Sequence, residues 1–485
     1  MNDLNFPSYR EAKKLAGHGN LVPLVATMPA DLDTPVGVYL KAARGTRASF
    51  LLESVEGGER SARYSFIGVE PRAIFTGSGT DYELKVGRRV TRLRGDLYAL
   101  LKELTSAIHP VDIPDLPPFA GGAVGVFGYD VVRQRERLPR RHKPDPDIPE
   151  VWQGWYDTVF VFDHVMHRLV LVANWHAHDD RRASYDAVIA RAKAAAARLK
   201  QPLPRPPMPP VAGRPRSNFP GTSYEEAVRI AQEHIAAGDI FQVVLSQRFT
   251  APFKGDPFGV YRRLRRINPS PYLFYLDCGD FQLAGSSPET LVRVQGKTVT
   301  LCPIAGTRPR GKDRAHDARL VAELLADPKE RAEHLMLVDL ARNDAGRVCR
   351  YGAIRLPDFF TVERYSHVMH IVSRVEGELR AGRSALDALA ACFPAGTVSG
   401  APKVRAMELI DTLERSARDL YAGAVGYLDY YGNLDTCIAI RTLVFRDGRV
   451  HAQAGAGIVA DSVPRKERQE TQNKARALME ALHGD

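Results

Sequence analysis

Two pairs of glutamates carry the clearest chemistry in this chain: Glu330 with Glu333, and Glu467 with Glu470. Each pair is spaced i, i+3, so on a helix both carboxylates share one face. The first lies in Asp327-Pro-Lys-Glu330-Arg-Ala-Glu333-His334, the second in Asp461-Ser-Val-Pro-Arg-Lys-Glu467-Arg-Gln-Glu470. Pro328 and Pro464 suit the first helical turn, where the missing N–H has no partner to lose. Four hard oxygen donors converging from two distant helices suit Mg²⁺, which takes a few carboxylates and keeps waters or substrate oxygens. A lone pair of this kind is ordinarily a solvated helix face, so the neighbouring segments decide.

Three glycine-bearing segments keep company with the glutamates. Pro303-Ile-Ala-Gly-Thr-Arg308 and Gly455-Ala456-Gly457 each follow an expected strand, and Phe393-Pro-Ala-Gly396-Thr397-Val-Ser-Gly-Ala-Pro-Lys403 precedes an expected helix. Such segments either offer backbone N–H groups to an anion or simply make tight turns. Gly455–Ala460 mimics a dinucleotide fingerprint, but only a final helix follows it, so no βαβ unit can be completed. The Gly396–Lys403 segment lacks the spacing and the Ser/Thr of a phosphate-binding P-loop.

The elements that must position these groups alternate between types. The proline-rich stretch Gln201-Pro-Leu-Pro-Arg-Pro-Pro-Met-Pro-Pro-Val211 cannot be a helix interior or a central strand. It divides residues 1–200, a linker over 201–216, and residues 217–485. The first part reads as strands with few helices: strands over 49–55, 64–68, 123–127, 158–162 and 169–172, and an alanine-rich closing helix near 192–199. In the second part strands are expected at 240–249, 272–276, 281–284, 290–294, 424–430, 436–445 and 450–455. Helices are expected at 223–237, 257–266, 317–325, 328–341, 384–391, 402–413 and 464–482. Thr222-Ser-Tyr-Glu225 has the capping-box pattern. The class is α+β, with sheets at the centre.

Composition narrows the function. With 485 residues, 44% hydrophobic and 26% charged, the chain can bury a large core, and no apolar run is long enough for a membrane helix. Met1-Asn-Asp-Leu-Asn-Phe-Pro lacks a secretory pattern, so a cytoplasmic setting is expected. Five scattered cysteines (Cys278, Cys302, Cys349, Cys392, Cys437) argue against disulfides and zinc. The net charge of +10 and the basic runs Arg133–Lys143 and Arg262–Arg266 invite a nucleic-acid reading. Interleaved acids and the lack of any nucleic-acid motif weigh against it, and a basic surface equally draws a small dianion.

In this order the segments resemble those of the chorismate-utilising enzymes. The stretches are Leu52-Glu53-Ser54, Ser286-Ser-Pro-Glu289-Thr290, Pro303–Arg308, Glu333–Asp344, Ser366-His-Val-Met-His370, Gly396–Lys403 and Gly455–Ser462, from near Asn20 to Glu480 overall. The resemblance implies large mixed or antiparallel sheets sandwiched with flanking helices, a regulatory N-terminal part and a catalytic C-terminal part. It implies that Glu333 and Glu470 hold Mg²⁺, with Glu330 and Glu467 supporting through water. Glu289 becomes the general acid, while His370 and Thr397 serve the second half of the reaction. The substrate grips carried over are Gly306, Thr307, Tyr421, Arg441, Gly455, Ala456, Gly457 and Lys403. Taken singly, His370 could be a core histidine and Tyr421 packing.

Two positions choose the branch. Aminodeoxychorismate synthases carry a nucleophilic lysine where this chain has Ala305, and isochorismate and salicylate synthases carry a lysine base where it has Gln242. Water needs such a base, whereas ammonia is already a nucleophile. The ammonia-using branch that forms anthranilate is therefore expected, with aminodeoxychorismate synthase as the nearest alternative. A non-catalytic, tryptophan-sensing subunit would not need the full set of acids. No cysteine sits in a glutaminase setting, so the resemblance implies a separate glutamine amidotransferase subunit and a hetero-oligomer. It further implies feedback inhibition by tryptophan, bound by Glu53 and Ser54 together with Pro271, Tyr272 and Leu273; as residues alone, Glu53 and Ser54 could merely end a strand.

Overall fold

Alternation along the strands sets the layering. In Gly122–Phe127, Val124 and Val126 join one buried cluster while Ala123 and Phe127 join another, so both faces of this sheet are covered. The computed structural model describes residues 4–54, 63–145, 147–177, 182–204, 211–365 and 368–483. Among them stand a 13-stranded and a 12-stranded sheet. The strand pairs that build the site are antiparallel, such as Gln242–Lys254 with Arg449–Ile458 and Thr290–Gln295 with Leu434–Ile438.

The sheets pack face to face. Phe50, Val161, Phe274 and Leu283 of one meet Val126, Trp152, Tyr156 and Cys437 of the other in a shared core. The first sheet's outer face is covered by the helices Pro35–Ala42, Arg182–Arg198 and Pro257–Ile267. The second is covered by Leu97–Ser106, Pro328–Gly346 and Ala385–Cys392. The result is the expected α+β sandwich with flanking helices.

Both sheets run through both parts of the chain. Ser49–Glu53 pairs with Tyr272–Asp277 in the first sheet, and Gly122–Phe127 pairs with Ala424–Asp429 in the second. The expected linker 201–216 lies partly outside the described residues (205–210). Its end supplies two short strands, Val211–Ala212 and Arg216–Ser217, against Gln242–Lys254.

The chain passes directly from one sheet to the other at several points. Gln282–Ser287 belongs to the first sheet and Thr290–Gln295 to the second, so Pro288 and Glu289 form a crossing. The strand expected over 436–445 is two strands: Leu434–Ile438 in the second sheet and Thr442–Arg446 in the first. The break falls at Ala439–Arg441, where Arg441 takes φ +51, a left-handed conformation uncommon for a residue with a side chain. The two crossings lie side by side. Ser286 N donates to Arg441 O and Ile438 N to Glu289 O, each at 3.0 Å.

Most expected helices form, with one local correction. Ser223–Ala236 is helical, but Thr222 makes no side-chain cap; Glu225 instead accepts from Arg468 Nη1 at 3.2 Å. No helix among the described residues is long and apolar enough to cross a membrane.

Candidate active site

The site gathers where the crossings meet the two glutamate helices. Pro328–Gly346 begins as expected: Pro328 fills the first turn and Asp327 accepts from Lys329 N at 3.0 Å. Pro464–Glu480 begins with Pro464. Glu330 and Glu333 thus project from the start of one helix, and Glu467 and Glu470 from the start of the other. Burial raises the Glu333 carboxyl, and Glu330 and Glu470 raise it further; burial and then Glu470 raise Glu467. Acids from both helices therefore sense one another across a shared space.

The donor set fits a hard divalent cation that keeps part of its water. Among the described residues, no three His, Cys, Asp or Glu side chains stand close enough to hold an ion by themselves. Glu333 and Glu470 would supply protein oxygens, with the remaining positions left to water and substrate. Cations already in place balance two of these acids: Arg308 Nη1 holds Glu330 at 2.9 Å, and Lys474 Nζ holds Glu470 at 2.7 Å.

Glu289 lies at the first crossing, with only a partial opening to solvent. Burial pushes its carboxyl up to about 7, opposed by the Thr397 hydroxyl and by Lys474. Thr397 Oγ1 donates to Glu289 Oε1 at 2.8 Å from a short 3-10 turn, Gly396–Val398.

Arg441 lies at the second crossing. Among the described residues no carboxylate pairs with its guanidinium, and burial lowers its affinity for a proton, with Tyr421 the nearest compensating group. An enclosed arginine without an anion is poised for one brought by a ligand.

Pro303–Arg308 is not a tight turn. Ile304–Pro309 is a strand paired with Val368–Glu378, with a bulge between Ala305 and Thr307. Gly306 sits in that bulge at φ +67, and a Cβ there would lie 3.1 Å from Glu330 Oε2. Opposite, His370 Nδ1 faces the Gly306 carbonyl and Thr307 Oγ1, each at 3.0 Å. A carbonyl can only accept, so Nδ1 carries the proton and Nε2 keeps its lone pair. Burial lowers the His370 pKa, which keeps the ring neutral.

Gly455 and Gly457 lie on Arg449–Ile458, whose pairing with Thr442–Arg446 ends at Ala452. Past that point one edge of the strand is released toward the cleft. A Cβ at Gly455 would stand 2.8 Å from the Tyr421 hydroxyl, and one at Gly457 would stand 2.6 Å from Gln242 Nε2. Ala456 is fully buried in the core on the opposite face. Lys403 is taken by a buried ion pair with Asp344 at 2.8 Å, so its ammonium is not presented freely to a substrate. Lys474, overlooked in the sequence, donates to the Gly455 carbonyl at 3.0 Å as well as holding Glu470. Its i, i+4 spacing from Glu470 was the available signal.

The second expected cluster also assembles. Glu53 pairs with Leu273 across adjacent strands. Tyr261 Oη donates to Glu53 at 2.5 Å and Arg265 Nη2 at 2.9 Å, while burial raises the carboxyl. Ser54 Oγ is buried and has no hydrogen-bond partner among the described residues. The Tyr272 hydroxyl turns to Thr290 and Asp435, at 2.9 and 2.8 Å; Pro271 precedes it, half-buried. Ser366 and His367 lie outside the described residues.

Three of the six arginine and lysine side chains in the run 133–143 are paired within the fold. Arg133 meets Asp130 and Asp411, Arg135 meets Asp96, and Arg140 meets Glu150.

A sandwich with acids and an unpaired arginine at its crossings defines a class, and comparison agrees: residues 47–480 match the model of the chorismate binding enzymes, and the chain belongs to that family. Its relatives narrow the class further. It is 49% identical to anthranilate synthase component 1 of Thermus thermophilus, covering 95% of this chain and 97% of that one. It is 43% identical to the protein of the same name from Acetivibrio thermocellus, covering 98% of each. The crystal structure of anthranilate synthase component I from Streptococcus pneumoniae superposes with a TM-score of 0.75 at 36% identity, over 87% of this chain and 93% of that one. The menaquinone-specific isochorismate synthase of Escherichia coli, at 20% identity and a TM-score of 0.73 over 96% and 95% of the two chains, shares the fold.

Proposed function

We propose that this chain is the chorismate-converting component of an anthranilate synthase, turning chorismate and ammonia into anthranilate and pyruvate at the head of tryptophan biosynthesis. The observation that carries the reading is the pairing of crossings: a protonatable Glu289 held by Thr397 beside an Arg441 with no carboxylate partner among the described residues.

Arg441 binds the enolpyruvyl carboxylate through its fork, and Tyr421 lies against the same ligand. Gly306 and Thr307, with the released strand edge at Gly455–Gly457, let the ring approach backbone without side chains in the way. Glu333 and Glu470, with Glu330 and Glu467 behind, would hold Mg²⁺, whose chemistry there would be electron withdrawal from the substrate ring. Ammonia adds to the ring carbon beside the carboxylate-bearing one, the double bonds shift, and the ring hydroxyl leaves as water with the proton of Glu289. That gives aminodeoxyisochorismate. His370 takes the ring proton on its unprotonated Nε2 as pyruvate departs. Ala305 and Gln242 leave no lysine for the competing chemistries.

Ammonia arrives from a glutamine amidotransferase subunit. The relatives' designation as a first component supports this, as do the cysteines, since burial raises every thiol and none is activated for glutamine. Five free cysteines also suit the cytoplasm. Tryptophan inhibits by binding at Glu53, Ser54 and Pro271–Leu273. The strand pairing there joins the two parts of the chain, so an effector can bias their packing.

The test is the purified chain with chorismate, Mg²⁺ and ammonium. Growth of anthranilate fluorescence that a chelator abolishes is the expected result. Chorismate consumed to aminodeoxychorismate or isochorismate would move the chain to another branch.

A further inference from the structure

Behind the site lies an ion pair the reaction does not use. Arg418 and Glu414 are 1% and 3% exposed and 2.6 Å apart. Removing two charges from water is costly, and their attraction offsets this only with good geometry and further hydrogen bonds. Those bonds are present. Arg418 Nη1 donates to the Val398 carbonyl at 2.6 Å, and Nη2 to the Val244 carbonyl at 2.7 Å. Glu414 Oε1 accepts from Ser246 N and Oγ, both at 2.8 Å. The guanidinium lies 4.8 Å from the ring centre of Tyr129 and 5.4 Å from that of Tyr421.

Val398 directly follows Thr397. The Thr397 turn and Glu289 border one cavity, lined also by Leu291, Leu337 and Leu340, with Leu340 packed close against Gly396. Thr397 borders that open space, so the aim of its hydroxyl depends also on how the end of the turn is anchored. Arg418 ties the end of the turn to the strand Gln242–Lys254, which itself carries the Gly455–Gly457 pairing.

We infer that Arg418 is a positioning residue for the acid: through the Val398 carbonyl it holds the Thr397 turn so that the hydroxyl reaches Glu289. This rests on the reading of Glu289 as the general acid. The other charged or titratable groups facing Glu289 are Lys474 from the last helix, Arg441 at the neighbouring crossing, the Asp344–Lys403 pair across the cavity, and the thiols of Cys302 and Cys392.

Arg418→Lys keeps a charge for Glu414 but cannot bridge it to both carbonyls. The expected result is a kcat lower by about 10- to 100-fold in a folded protein, as for a displaced catalytic group. The loss of activity with rising pH moves to higher pH, as it does in Thr397→Val, because the donor that favours the ionised acid is gone. The Arg418→Lys/Thr397→Val double variant is no slower than Thr397→Val alone, since both act through one hydrogen bond. If Arg418→Lys does not fold, the Arg418→Met/Glu414→Gln pair removes both charges together and takes the same readouts. Additive losses with an unmoved pH profile overturn the inference. Glu289→Gln run alongside separates the two failures: full activity there removes the acid itself, whereas an inactive Glu289→Gln with additive Arg418 losses removes only the positioning role.

Discussion

Thr397 Oγ1 donates a 2.8 Å hydrogen bond to Glu289 Oε1, joining residues 108 positions apart in the chain. The bond brings a turn ahead of one helix to a crossing between two sheets. Burial drives the acid toward its protonated form and Thr397 draws it back, leaving it at about 7, where it can give a proton near neutral pH.

Glu289→Gln keeps the shape but cannot give that proton. Turnover with ammonium is expected to fall by about 10²- to 10⁴-fold, measured as anthranilate fluorescence, with chorismate binding retained.

A general acid works only while protonated, so wild-type activity at constant free ammonia declines as pH rises through about 7. Thr397→Val removes a donor that favours the carboxylate, and the decline moves to higher pH. An unmoved profile would separate Thr397 from the acid.

The same acid should weaken the fold in alkali. Its folded pKa is about 7 against an ordinary 4.5, so its favourable contribution is complete below 4.5 and lost as pH rises through 7. Glu289→Gln has no such loss. Denaturant titration should find the variant more stable than the parent at pH 8, by an amount on the order of 3 kcal/mol at most, with the difference vanishing near pH 4.5.

Arg441→Lys retains the charge but loses the two-pronged fork. We expect kcat/KM for chorismate to fall about 10- to 100-fold, the range for one charge-assisted hydrogen bond. Steady-state kinetics that left it unchanged would free Arg441 of its substrate role.

Ser54 offers a buried hydroxyl without a partner among the described residues. Ser54→Ala should raise the tryptophan concentration for half-inhibition about tenfold, the worth of one hydrogen bond to a charged ligand, and leave the uninhibited rate alone. An inhibition curve that did not move would place the effector elsewhere.

The sequence made the glutamate helices legible because their signals are local: a proline in the first turn and acids three residues apart. The strands flanking Glu289 were legible too, yet the crossings were not. Thr436–Phe445 is an almost unbroken strand-forming run, and nothing in it marks the change of sheet at Arg441, which takes a left-handed backbone without being glycine or asparagine. Pro303–Arg308 reads equally as an anion-binding segment or a tight turn because of Gly306, whereas the structure uses that glycine for a bulge beside Glu330. The Thr222 pattern lacks its cap because Glu225 is drawn to Arg468. Lys403–Asp344 and Arg418–Glu414 depend on packing, the first across distant segments and the second within one turn of chain that only the surrounding core makes buried.

The most direct measurement is the fate of the nitrogen. The chain is incubated with chorismate, Mg²⁺ and ¹⁵N-ammonium, and the product is read by NMR. Labelled anthranilate is expected, with nitrogen on the ring carbon next to the carboxyl-bearing carbon and pyruvate released in equal amount. Label at the opposite ring carbon, or a hydroxylated product without label, would contradict it.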